Sequence, residues 1–115
     1  MKIVNSLEEL MHVIDSNTPS IVDFYADWCG PCQALLPVLE NLEQSFEKQI
    51  VFAKVNVDKN PDLAQKFNVT SIPSLFFIKN KVIVENLKGL QPKNILENHI
   101  ESLLAGSETK TKDLV

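Results

Sequence analysis

No cluster of lysine and arginine interrupts this 115-residue sequence, whose net charge is -4 and whose pI lies near 5.1. A phosphate backbone is captured by grouped cations, so this balance weighs against a nucleic-acid binder. No stretch is apolar for long enough to cross a bilayer, and Met1 to Ser6 runs into Glu8 and Glu9 where a secretory signal would be apolar. A cytoplasmic protein that stays off the membrane is the expectation. Residues 1–106 contain no internal repeat, low-complexity tract or linker. Cysteine is scarce, with only Cys29 and Cys32. A bridge between them closes a short loop worth roughly 2 kcal/mol in the chain-entropy model, against ~3 for fifteen residues. A structural staple is poorly placed there, and in a reducing compartment such a pair points to redox chemistry or metal binding. The only other nitrogen ligands, His12 and His99, read as helix-surface or partly buried residues with no partner pattern, so a four-ligand zinc cage is not expected.

What is present suits one soluble domain. Apolar residues make up 44% of the chain and charged residues 23%, unlike a disordered sequence. The length allows one core and not two, with a domain over residues 1–106 and a polar, loose tail over 107–115.

Ser6 and Glu9 have capping-box spacing, and Leu7, Leu10, Met11 and Ile14 recur at helical period, predicting a helix to about Ser16. Ile21 to Tyr25 reads as a buried strand, although the carboxylate of Asp23 stands in its middle. Pro31 suits the first turn of a second helix, whose apolar face is Leu35, Val38, Leu39, Leu42 and Phe46, with a kink expected at Pro37. Ile50 to Val57 is a further strand, and Asn60-Pro61 supplies the cap and first turn of a short helix through about Phe67. Ser74 to Ile78 and Val82 to Leu87 form a hairpin joined by Asn80-Lys81. A primed two-residue turn wants glycine at positive φ, and a lysine there costs about 1 kcal/mol, which leaves the turn type open. Pro92 opens a last helix with Ile95, Leu96, His99, Ile100, Leu103 and Leu104 on one side, ending at Ala105-Gly106. Helices between the early strands require parallel right-handed crossovers, and the hairpin adds an antiparallel pair. The expected fold is a three-layer α/β domain, a mixed central sheet with helices on both faces.

Trp28-Cys29-Gly30-Pro31-Cys32 stands where a strand hands over to a helix. First-turn N–H groups lack partners, so a thiolate there gains hydrogen bonds and the helix dipole, which makes Cys29 the expected nucleophile. Cys32 follows three residues later on the same face, inside the turn, and suits resolution of a mixed disulfide. Asp23, desolvated in an apolar strand, is a candidate proton acceptor for Cys32. Plainer readings stand beside these. Asp23 alone resembles a strand-edge carboxylate, Lys54 a lysine snorkelling from the sheet, Pro73 an ordinary trans-proline, and Trp28 a core residue.

The run Val22-Asp23-Phe24-Tyr25-Ala26-Asp27-Trp28-Cys29-Gly30-Pro31-Cys32 resembles the active-site segment of the thioredoxin family. Pro37, Lys54, Asp58, Ser71-Ile72-Pro73 and Gly89 fall at that family's spacings, and the resemblance covers about Ile3 to Leu104. It implies the thioredoxin fold and reduction of protein disulfides through a reversible Cys29–Cys32 disulfide, contributing to redox homeostasis. It also implies that Gly30 and Pro31 tune the pair, and that the charge of Lys54 moderates the buried Asp23. Ile72-Pro73 would form a cis-proline loop, and Trp28, Ser71, Ile72, Pro73 and Gly89 would dock an extended substrate segment. The implied electron source is NADPH through a flavin-dependent thioredoxin reductase. The chain itself would hold no cofactor or metal and act as a monomer on disulfide-containing proteins. Three residues depart from the family pattern: Lys88 and Leu90 flank Gly89 where small or apolar side chains are usual, and Gln33 replaces a basic residue. An oxidase or isomerase is the nearest rival within the fold, but the histidine typical of isomerases is absent between the cysteines. From another class, the alternative is a redox-independent binding module or structural subunit using the same docking surface. Full activity in Cys29→Ser and Cys32→Ser variants would favour it.

Overall fold

The computed structural model describes residues 1–106; the predicted tail, residues 107–115, lies outside them. In chain order the elements are β1 (Lys2–Val4), α1 (Leu7–Ile14), β2 (Ser20–Tyr25), α2 (Gly30–Ser45), β3 (Val51–Asn56), α3 (Pro61–Lys66), β4 (Ser74–Lys79), β5 (Val82–Lys88) and α4 (Lys93–Ala105). The strands form one five-stranded sheet in the order β1-β3-β2-β4-β5. β1 and β2 lie parallel to β3, whereas β4 runs antiparallel to β2 and β5 antiparallel to β4. This is the expected mixed sheet.

Alternation along the strands divides the core into two layers. Val22 and Phe24 of β2, Ala53 and Val55 of β3, and Phe76 and Ile78 of β4 pack with Leu10, Val13 and Ile14 of α1 and Leu63 of α3. On the other face Ile21, Phe52, Leu75 and Phe77 meet Leu35, Leu39 and Leu42 of α2 and Leu96, Ile100 and Leu103 of α4. Each large side chain so enclosed contributes about 1.5–3 kcal/mol of transfer free energy.

Strand β1 has no counterpart in the sequence reading. It is three residues long and only Val4 is buried, so no two-residue period could reveal it; pairing of Lys2–Val4 with Ala53–Val55 creates it. Other differences are local. Helix α1 ends at Ile14, before Ser16, because the Ser16 hydroxyl turns to the carbonyls of Val13 and Thr18. The Ser6 hydroxyl accepts from Glu9 N–H at 3.1 Å, but Glu9 reaches past Ser6 and accepts from Asn5 N–H at 2.6 Å, so the capping box is not reciprocal. Asn60 stands at the cap position of α3 without capping it, since its amide donates to Asn56 O at 3.1 Å and Asn5 Oδ1 at 3.4 Å. The β4–β5 turn takes positive φ at both Asn80 (54°) and Lys81 (66°), the requirement of a type I′ turn, so the hairpin accepts the lysine. Helix α2 continues through Pro37, which lies on its exposed side.

Candidate active site

The site is built where β2 gives way to α2. Cys29 is the N-cap of α2, with extended backbone (φ -89°, ψ 111°), and its Sγ accepts from Cys32 N–H at 3.2 Å. Sulfur therefore occupies the place where a serine or aspartate oxygen usually satisfies a first-turn donor. Pro31 falls in the first turn, where its missing N–H costs nothing, and that turn carries no acidic side chain to oppose an anion. Cys29 and Cys32 are joined by a disulfide with a Cα–Cα distance of 5.2 Å, inside the span such bridges need. Cys29 is 5% exposed and Cys32 0%, so both are buried and what little of the pair meets solvent belongs to Cys29. Cys32 is enclosed because it continues the stripe of Leu35, Leu39 and Leu42 that α2 turns toward the sheet.

Beneath that stripe lies Asp23. It shares a face of β2 with Ile21, the face that α2 covers, and it is fully buried. Neither carboxylate oxygen has a hydrogen-bond partner. Burial raises its pKa from 3.8 to about 7, while the charge of Lys54 pulls in the opposite direction. Lys54 is the register partner of Asp23 on β3 but makes no ion pair with it within 4 Å. Its Nζ sits 5.4 Å above the ring of Tyr25. The lysine thus acts on the carboxylate through space.

A second chain segment closes over the cysteines. The Ile72–Pro73 peptide bond is cis, and Ile72 O lies 3.9 Å from Cys29 Sγ. Ile72 packs against Tyr25, Ala26, Cys29 and Cys32, Ser71 is exposed, and Pro73 is buried. Gly89 N–H donates to Pro73 O at 2.8 Å, tying the end of β5 to this loop. Gly89 has φ +85°, and a Cβ there would meet nothing within 4 Å, so backbone conformation and not space calls for glycine. Gly30 also faces open space. Trp28 is 72% exposed, which removes the core reading, and its Nε1–H donates to Asp58 Oδ2 at 2.8 Å. Trp28, Cys29, Gly30, Pro31, Ser71, Ile72, Pro73 and Gly89 thus stand at the end of the sheet where β2 gives way to α2, while Asp23 and Lys54 lie within strands β2 and β3.

Sequence reading missed three contacts here: Trp28 with Asp58, Gly89 with Pro73, and Gln33 Nε2–H to Ala26 O at 3.4 Å. Only the family spacing of Asp58 and Gly89 hinted at the first two. Among the described residues no three His, Cys, Asp or Glu side chains converge as a metal site, and no helix is long and apolar enough to cross a membrane.

The thioredoxin family model matches residues 3–102. The chain belongs to the thioredoxin family. It is 40% identical over 89 residues to a thioredoxin of Chlorobaculum thiosulfatiphilum, covering 77% of this chain and 82% of that protein. It is also 40% identical over 92 residues to thioredoxin 1 of Nostoc sp. PCC 7120, covering 80% of this chain and 86% of that one. Among solved structures, a variant thioredoxin from Halobacterium salinarum NRC-1 superposes with a TM-score of 0.83 at 37% identity, over 99% of this chain and 92% of that chain. Thioredoxins are protein-disulfide oxidoreductases, and this thioredoxin-family chain carries the redox-active cysteine pair through which dithiol–disulfide exchange proceeds.

Proposed function

We propose that the protein reduces disulfides in other proteins with Cys29 as nucleophile, Cys32 as resolving thiol and Asp23 as proton acceptor. The observation that carries this reading is the asymmetry of the pair: the Cys29 sulfur caps a helix, in the one residue of the two that keeps any exposure, and Cys32 is fully enclosed. In the reduced protein, first-turn N–H groups and the helix dipole favour the Cys29 thiolate. That thiolate attacks one sulfur of the substrate disulfide, and the other leaves as a thiolate that takes up a proton. Cys32 then loses its proton and attacks Cys29 Sγ, which expels the substrate's second sulfur. The net change is two electrons and two protons passed to the substrate, with the Cys29–Cys32 bond formed.

Cys32 is enclosed away from bulk water, so its proton needs a nearby acceptor. Asp23 faces the same β2–α2 interface, and a carboxyl with a pKa of about 7 is divided between its two forms near neutrality, where proton exchange is most effective. Lys54 keeps that pKa from rising further, and Gly30 and Pro31 shape the first turn. Trp28, Ser71, Ile72, Pro73 and Gly89 supply the docking surface, against which an extended substrate segment lies as an added strand would. The oxidised pair is recharged from NADPH by a flavin-dependent thioredoxin reductase, in the cytoplasm, with the protein acting as a monomer.

Insulin reduction tests this. With NADPH and a thioredoxin reductase, catalytic protein should consume NADPH in step with insulin reduction, and Cys29→Ser or Cys32→Ser should abolish it. Failure with dithiothreitol as donor as well would overturn the reductase reading. Turnover with dithiothreitol alone would overturn only the assigned electron source.

A further inference from the structure

Cys29 lies between rims of opposite charge. At the end of the sheet that carries the cysteines, the strand order runs from Asp58, just after β3, past Cys29 beyond β2 and Pro73 before β4, to Lys88 at the end of β5. Strands are spaced about 4.8 Å apart, so the end of β5 stands about two spacings, roughly 10 Å, from the end of β2. An extended peptide covers that distance in about three residues. Asp27 and Asp58 are exposed on one rim, with Lys59 beside them, and Asp58 is held against Trp28 by its 2.8 Å hydrogen bond.

On the opposite rim Lys88 is exposed and joins no ion pair among the described residues. Its position is fixed relative to the reactive sulfur. Lys88 pairs in register with Ser74, and the next residue, Gly89, bonds to Pro73 O, one residue from the Ile72 carbonyl that lies 3.9 Å from Cys29 Sγ. Backbone hydrogen bonds fix where the Lys88 side chain starts, and its flexible stem lets the ammonium reach an incoming carboxylate, at the entropic cost of ordering that stem.

We infer that Lys88 is a specificity-determining residue, which favours substrates carrying a carboxylate about three residues from the attacked cysteine. The inference rests on the disulfide-exchange reading above. Lys88 acts on encounter and register, as a rim charge does, while the acidic rim repels the same carboxylate and so selects one direction of the segment. Lys88 takes no part in the chemistry at sulfur.

The test uses three synthetic peptides with a single cysteine held as a mixed disulfide with thionitrobenzoate, whose release is followed by absorbance. One carries glutamate three residues before the cysteine, one carries it three residues after, and one has glutamine at both places. Pre-reduced wild type should react with one glutamate peptide roughly threefold faster than with the glutamine peptide at low salt. In Lys88→Glu that ratio should fall below one, a change of roughly tenfold in all, and 0.5 M salt should bring both ratios toward one. Lys2→Glu on β1, at the opposite edge of the sheet, changes net charge equally and should keep the wild-type ratio. The inference is overturned if both glutamate peptides keep their wild-type ratios in Lys88→Glu. Absence of thionitrobenzoate release from the glutamine peptide with wild type would instead overturn the exchange reading itself.

Discussion

The two faces of strand β2 have been put to different uses. On one, Val22 and Phe24 are fully buried, and Phe24, Phe67 and Phe76 form an aromatic trio with ring centroids 5.4–5.5 Å apart. That geometry adds to plain area burial. On the other, one residue away, Asp23 is equally buried with both oxygens unpaired. A hydrocarbon at that position would hold the fold more firmly. The difference teaches that the two faces are not built to one end: the face under α1 and α3 maximises packing, and the face under α2 keeps a buried, unpaired carboxyl whose pKa is raised to about 7, the group proposed above as proton acceptor.

The comparison can be broken from either side. The largest effect is expected from Phe24→Ala, which removes the centre of the aromatic trio and should cost about 3–5 kcal/mol in denaturant unfolding. A loss under 1 kcal/mol would mean that this face is not the firmer one.

Asp23→Asn should act in the other direction. Because the folded pKa of about 7 lies above the ordinary 3.8, the carboxyl is protonated in both states well below pH 3.8 and its contribution is fully retained there. As pH rises toward 7 the unfolded chain gives up the proton while the folded chain holds it, so stability falls, levelling off above pH 7. The variant lacks this loss. Its stability relative to wild type should increase by about 4 kcal/mol between pH 4 and pH 8, measured by urea unfolding. In the same variant a mixed disulfide at Cys29 should form at nearly the normal rate and decay about tenfold to a hundredfold more slowly. Unchanged decay would remove Asp23 from the mechanism.

A smaller shift should come from Lys54→Met. Loss of the through-space attraction leaves burial unopposed, so the Asp23 pKa moves above 7, and the pH profile of mixed-disulfide decay moves upward by up to about one unit. A profile that stays in place would show that the Tyr25 ring holds the lysine where its charge does not matter.

Much of this was legible in the residues because the informative features are local. A carboxylate within Ile21 to Tyr25 and a proline following Cys29-Gly30 are visible without topology, and each marks the site. The elements that declared themselves, α2 and α4 above all, have long apolar stripes. What stayed hidden depends on distant partners. β1 exists only because β3 offers an edge, and no period can show itself in three residues. The hydrogen bond from Trp28 to Asp58 joins residues thirty positions apart, and the Gly89 to Pro73 bond needs the β4–β5 register. The reach of Glu9 to the Asn5 N–H, and the donation by Asn60 to the Asn56 carbonyl, are choices among neighbouring donors and acceptors that packing decides. The cis bond before Pro73 was indicated by family resemblance and by nothing in the local residues.

The division of labour between the two sulfurs is tested most directly by trapping. Cys32→Ser and Cys29→Ser proteins, each reduced and mixed with an excess of disulfide substrate near neutral pH, can be compared by intact mass. The account predicts a persistent covalent adduct on Cys29 in the first variant and little or none on Cys32 in the second. Equal adducts at both positions, formed at the same rate, would contradict it.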